Sequence, residues 1–308
     1  MGNVIQTECV SKHYKGVRAV DGVSLEVAKG EIYGFIGLNG SGKTTTIRML
    51  LGMIQPTHGH CFLGGQKVNL SNHSIWEDVG YLVETPHAYP ELTVAENLEI
   101  FRRLRRNSDS GAVLRTVEKL GLAPYIHRKA KHLSLGNAQR LGIAKALLHD
   151  PAILILDEPV NGLDPAGIAE VRELLRHLAL NENKTVFVSS HLLGEVAKIA
   201  AKIGIIHEGR LLQELQAQEL NHLLKQRLVI DARQQERAMS VLAEAGIQSF
   251  LNADGLIETD VLSAIQYPDQ IARLLVRKDC PPIRLSVEEE DLESYFLRVI
   301  GKKGAGIP

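Results

Sequence analysis

The residues Gly37-Leu38-Asn39-Gly40-Ser41-Gly42-Lys43-Thr44 fit the spacing G-x-x-x-x-G-K-[ST]. That spacing suits the gripping of a polyphosphate. Glycines let backbone N–H groups turn inward around an anion. A helical pattern starts at Lys43, so the loop also receives the positive end of a helix dipole. Lys43 is expected to reach the β- and γ-phosphates of a nucleotide, and the Thr44 hydroxyl to bind Mg²⁺. Gly37, Asn39, Gly40, Ser41, Gly42 and Thr45 complete the expected nucleotide contacts. A chance match is expected in on the order of one per cent of chains this long, given average residue usage. The setting between an apolar run and a helical pattern lowers that further.

A second set of candidates ends a strand. Ile153-Leu154-Ile155-Leu156-Asp157-Glu158-Pro159 places two carboxylates where an apolar β-strand stops. Burying such charges without a cation is costly. Asp157 is therefore expected to hold the Mg²⁺ shell, and Glu158 to polarise an attacking water as general base. A solvated strand end with incidental acids is the alternative, and the phosphate loop weighs against it. Ser134 and Gly136 precede a helical pattern through Arg140 to Leu148, so they form another helix N-terminus suited to phosphate. Ser134 also suits a plain N-cap.

Positioning these residues requires a mostly parallel sheet. Val4 to Val10 and Ala19 to Val27 read as strands, with a turn signalled at Asp21-Gly22. Glu31 to Ile36 is a short apolar run that enters the loop, and a helix follows from Lys43 to Leu51. Ala152 to Leu156 and Thr185 to Ser189 are continuous apolar or β-branched runs, as expected of strands buried on both faces. Helical patterns occupy 93–148, broken at Asn107 to Gly111 and at Pro124, and recur over Gly167 to Leu180 and Leu192 to Ala201. Gln213 to Gln226 reads as a connecting helix or linker. A strand at Leu228 to Asp231 then opens a second pattern, with helices at Gln235 to Ala245, Asp269 to Arg277 and Glu290 to Ile300 and a strand near Ile283 to Val287. Two domains follow, 1–220 with a helical subdomain at 93–148, and a small α+β accessory domain at 221–308. The run Glu288-Glu289-Glu290-Asp291 reads as a solvated, acidic helix start, and Gly301 to Pro308 as a frayed tail.

Composition narrows the function classes. Hydrophobic residues make up 44% and charged residues 23% of the 308 residues, with a net charge of -1. That is an ordinary globular balance with no global basic field for nucleic acid. Cys9, Cys61 and Cys280 lack metal-ligand spacing and read as reduced structural thiols. Met1 to Gln6 has no signal-peptide character. Nowhere do 18 apolar residues run together, so a membrane role is expected to go through a partner. Arg102-Arg103-Leu104-Arg105-Arg106 reads as a solvated helix end, with anionic lipid contact as the functional option.

With these residues in view, the stretch from Val4 to Gln213 resembles the nucleotide-binding domains of ABC transporters. Ser134-Leu135-Gly136-Asn137-Ala138-Gln139-Arg140 lies 23 residues before Asp157, where that family has its signature motif. Asn161-Gly162-Leu163-Asp164 is similar to its dimer-contact loop, and Ser189-Ser190-His191 to its switch histidine segment. The resemblance implies an α/β P-loop NTPase core with an antiparallel β subdomain and a helical subdomain. It implies that His191 contacts the γ-phosphate, that Tyr14 stacks on adenine, that Ser134 and Gly136 serve the nucleotide of a second copy, and that Asp164 of the dimer-contact loop is a nucleotide-site residue. A homodimeric ATPase on the cytoplasmic face of the membrane is then expected, driving a separate integral-membrane permease, with no nucleic acid involved.

Departures from the family pattern add detail. Glu84 stands where the family has glutamine, which adds charge and removes an amide donor from the expected Mg²⁺ contact. Leu135, Asn137 and Asn161 also depart. The stretch Glu84 to Leu98, with Leu133-Ser134-Leu135-Gly136, is similar to exporter ATPases linked to bacitracin resistance and lantibiotic immunity. The expected function is an exporter ATPase with a peptide antibiotic, drug or lipid-linked cargo. The alternatives are an importer ATPase and a soluble non-transport ATPase of the same family. A plain phosphate-loop kinase would leave Ser134, Gly136 and His191 without a role.

Overall fold

The structure is a computed structural model that describes residues 2–69, 73–84, 86–105, 109–252 and 254–301. Thr85, Arg106 with the Asn107-Ser108 break, and the tail after Gly301 lie outside the described residues. The chain divides into two compact units, Met1–Gln218 and Glu219–Pro308.

The first unit runs β1 (Asn3–Tyr14), β2 (Val17–Ala28), β3 (Ile32–Ile36), α1 (Lys43–Leu50), β4 (His58–Leu63), β5 (Gln66–Lys67) and β6 (Val79–Leu82). It continues with α2 (Val94–Leu104), α3 (Ala112–Lys119), α4 (Leu135–Leu147), β7 (Ile153–Asp157) and α5 (Pro165–Leu180). β8 (Thr185–Ser190), α6 (Leu193–Ala197), β9 (Lys202–His207) and β10 (Arg210–Gln216) close it. One sheet has the order β10-β9-β3-β8-β7-β6 and a second the order β2-β1-β4-β5. Within the first sheet only β10 runs antiparallel to its neighbour. Every residue of β3, β7 and β8 is buried, which is why their sequences are continuously apolar or small and not alternating. Ile5, Val20, Phe35, Ile47, Ile155 and Phe187 belong to one core cluster that spans both sheets.

This topology positions the site. The parallel strands β3, β6, β7 and β8 end on one side of the sheet, the side where open α/β sheets hold ligands. β3 leads into the glycine loop, β7 ends at Asp157, β8 ends one residue before His191, and β6 leads to Glu84.

The second unit comprises α7 (Leu220–Leu223), β11 (Gln226–Ala232), α8 (Gln235–Glu244), β12 (Phe250–Leu251) and β13 (Ile257–Thr259), followed by α9 (Leu262–Gln266), α10 (Pro268–Arg277), β14 (Pro282–Glu289) and α11 (Leu292–Val299). Its sheet, ordered β12-β13-β11-β14, is antiparallel throughout. Leu228 and Ile230 of β11 pack with Leu242 and Leu275 in a core of its own.

Several expectations need correction. Gln213 to Gln216 is neither helix nor linker but the end of β10, paired with β9. The burial alternation of Arg210–Gln216 is that of an edge strand, and its glutamines had obscured it. Asp21-Gly22 lies inside β2, where Gly22 has φ 68°; the hairpin turns at Lys15-Gly16. α6 stops at Ala197, short of Ala201. Glu288 and Glu289 belong to β14, and Glu290 pairs with Arg298, so only Asp291, the N-cap of α11, opens the helix.

Candidate active site

The loop after β3 is shaped by backbone needs. Gly42 is the N-cap of α1 at φ 108°, a conformation L side chains resist. A Cβ at Gly37 would collide with the Ser41 hydroxyl. The loop closes on itself through the Ser41 N–H, which donates to Leu38 O at 3.1 Å. A cavity of 190 Å³ is lined by Ala19, Asn39 to Thr45 and Glu158. Ser41 is buried and its hydroxyl has no protein partner among the described residues.

Lys43, 5% exposed, is the charged centre. Its ammonium donates to Gly37 O at 2.7 Å and Leu38 O at 3.2 Å. It also lies 3.2 Å from Glu158 Oε1. The other carboxylate oxygen of Glu158 accepts from the His191 N–H at 3.3 Å and lies 2.8 Å from His191 Nδ1. Lys43, Glu158 and His191 thus form one polar chain across the ends of three elements.

A second chain runs through Asp157, which is 1% exposed. Asp157 Oδ2 accepts from the Thr44 hydroxyl at 2.8 Å and Oδ1 from the Ser189 hydroxyl at 2.5 Å. These are hard oxygen donors beside a phosphate-type loop, and the set fits Mg²⁺. Glu158 itself adopts φ 49°, a left-handed conformation that costs energy outside glycine. Its N–H donates to Ser189 O and Oγ, and its carbonyl accepts from Gln139 Nε2 at 3.2 Å. Backbone and side chain of the expected base are therefore fixed independently.

Other expected residues have partners of their own. Glu84, at φ 59°, pairs with Arg48 of α1. Ser134 caps α4, its hydroxyl accepting from the Asn137 N–H. Gly136 lies in the first turn of α4 facing Leu163, and Asp164 caps α5 by accepting from the Gly167 N–H at 2.9 Å. Tyr14 ends β1 at 45% exposure, with the Lys12 ammonium 5.2 Å from its ring centre.

Sequence reasoning passed over Arg48, and it quoted Ser189 and Gln139 only as members of family segments, with no contact assigned to either. Ser189 had a signal, since it stands in β8 opposite Asp157 by strand register. Arg48 lies one helical turn beyond Thr44, on the same face of α1. Gln139 donates from its side-chain amide to the Glu158 backbone carbonyl, a partner that no side-chain pattern announces.

Comparison with known proteins places these observations. Residues 20–161 match the family described as ABC transporter. The chain is 38% identical over 303 residues to the bacitracin transport ATP-binding protein BcrA of Bacillus licheniformis, covering 98% of each. It is 33% identical over 233 residues to the lantibiotic transport ATP-binding protein SrtF of Streptococcus pyogenes, covering 75% of this chain and 100% of that one. Among solved structures, the dimeric ATP-binding cassette MJ0796 bound to ADP and Pi superposes with a TM-score of 0.65 at 26% identity, over 69% of this chain and 98% of that one.

Proposed function

Because this chain belongs to the ABC transporter family of ATP-binding proteins and is an ATPase, we propose that it powers export through a separate membrane permease by closing and opening a dimer around ATP. The observation that carries the catalytic part is the pair of polar chains at the strand ends, Lys43–Glu158–His191 and Thr44–Asp157–Ser189.

Lys43 offers its ammonium to the β- and γ-phosphates in place of the loop carbonyls it now meets. Gly37, Asn39, Gly40, Ser41, Gly42 and Thr45 line the phosphates, and Tyr14 meets the adenine. Thr44, Asp157 and Glu84 would hold Mg²⁺, which neutralises charge on the phosphates when bound. Glu158 takes a proton from the attacking water, and His191 holds the Glu158 carboxylate in place while contacting the γ-phosphate. Ser134 and Gly136, at a helix start, and Asp164 serve the nucleotide of a second copy. Several charge-assisted hydrogen bonds at roughly 1.5–3 kcal/mol each suffice to supply the ~5.5 kcal/mol needed to switch such a dimer from 1:99 to 99:1.

The permease is proposed to dock beside Glu84, Pro86 to Tyr89 and α2. Tyr89 is 51% exposed there, and a groove of 460 Å³ lies nearby, lined by Met53, Trp76, Tyr81, Phe101 and Leu104. Among the described residues no helix is long and apolar enough to cross a membrane. Relatedness to transporter ATP-binding proteins is what supports a peripheral subunit on the cytoplasmic face. Relatedness to bacitracin and lantibiotic transport proteins points to a peptide antibiotic, drug or lipid-linked cargo. The test is Glu158→Gln, which keeps the shape of the side chain but removes the base. On addition of ATP and Mg²⁺ it should gain dimer relative to a nucleotide-free sample. No nucleotide-dependent gain would contradict the dimer mechanism.

A further inference from the structure

β14 is an outer strand of the second unit's sheet, and among the described residues no strand pairs with its far edge. It spans Pro282–Glu289, and its register with β11 is regular from Arg284 to Glu289, with an irregularity at Ile283. Long free edges expose a row of unpaired N–H and C=O groups, and sheets guard them with charges, bulges or cover. The irregularity guards one end here. The remainder carries a pattern that mere guarding does not require.

About Ser286, the segment Arg284-Leu285-Ser286-Val287-Glu288 is self-complementary. A basic residue mirrors an acidic one, and an apolar residue mirrors an apolar one. Arg284 and Glu288 lie on one face of the strand, since the Arg284 guanidinium reaches Glu288 Oε1 at 2.6 Å within one copy. Arg284 and Val287 remain 59% and 40% exposed. A purely protective edge places like charges opposite each other in an approaching copy, which destabilises pairing. This edge places opposite charges there.

We propose that β14 is a self-association surface, pairing antiparallel with β14 of a second copy about a two-fold axis at Ser286. Two four-stranded sheets then join into one continuous sheet. Arg284 stands opposite the partner's Glu288, and Leu285 opposite the partner's Val287, each pair occurring twice by symmetry. A shift of the register by one residue sets Arg284 against Val287 or Glu289 and leaves Glu288 without its basic partner, so the Ser286-centred register is selected. An isologous interface demands this kind of self-complementarity, which identifies a second copy of this chain as the occupant. The surface needs no nucleotide and does not rest on the ATP-driven dimer.

The test is sedimentation equilibrium of the full chain in EDTA without nucleotide. The parent should dimerise. Arg284→Glu and Glu288→Arg should each raise the dimer Kd about ten-fold or more, because attraction at two symmetric positions becomes repulsion. Mixing the two single variants should restore dimer, as should combining both changes in one chain, with circular dichroism checking the fold. The proposal is overturned if the parent is monomeric at its highest soluble concentration. It is equally overturned if either single variant dimerises like the parent, or if mixing restores nothing. Scoring ATP-dependent association of Glu158→Gln in an Arg284→Glu background keeps the two interfaces separable.

Discussion

Glu158 is held by three elements, and each contact has a separate consequence. Its carboxylate meets Lys43 and His191, while its backbone is fixed by Ser189 and Gln139. Glu158→Gln should lower turnover by about 10²–10⁴-fold, the range of general-base catalysis, with ATP affinity retained; a steady-state assay beside a binding isotherm checks both. His149 gives a pH prediction. Burial chiefly, with help from the Arg105 charge, pushes its imidazole down to about 4 from 6.5. The unfolded chain therefore binds more protons between those values, so stability falls as pH drops from about 6.5 through about 4. His149→Gln should flatten that part of the pH–stability curve, measured by urea denaturation. At this scale the sequence was most legible where chemistry demands a rigid spacing, as from Gly37 to Thr44 and at Asp157-Glu158. It was silent on Arg48, and it named Gln139 only within the signature segment, without the Glu158 carbonyl as its partner, because both contacts depend on which surfaces the fold brings together.

At the scale of elements, the loop after β6 is fastened to the helices by buried polar groups. Asn97 of α2 is fully buried and accepts from the Tyr89 N–H at 2.8 Å. It also donates to Tyr89 O, Leu92 O and Thr93 O. Lys145 of α4 donates to His87 O at 2.6 Å and lies 4.4 Å from the Phe101 ring centre. Asn97→Ala leaves several of these groups unsatisfied and should cost about 1–3 kcal/mol. That corresponds to about 2–4 °C in Tm per kcal/mol for a domain of this size, readable by calorimetry. A charged substitution at exposed Tyr89, by contrast, should reduce transport in vesicles while sparing basal ATPase. Equal loss of both would point to misfolding. The buried strands were legible because burial on both faces leaves a continuous apolar run. β10 was not, because an edge strand needs few apolar residues and its glutamines resemble those of a linker.

Across the whole molecule, Lys43, Thr44, Asp157, Glu158, Ser189 and His191 all lie in the first unit, and the second has its own core. ATP binding is therefore expected to survive removal of residues 219–308, as judged by equilibrium dialysis of the shortened chain. The new strand-and-helix pattern from Leu228 signalled a second body, yet the polar stretch Gln213 to Gln226 hid where β10 ends and α7 begins. The account depends above all on the loop amides and Lys43 gripping a triphosphate. Equilibrium dialysis of Mg·ATP against the parent and Lys43→Ala tests this most directly. Loss of charge-assisted hydrogen bonds at roughly 1.5–3 kcal/mol each predicts affinity weaker by about ten-fold or more. Equal affinity in the two proteins would contradict it.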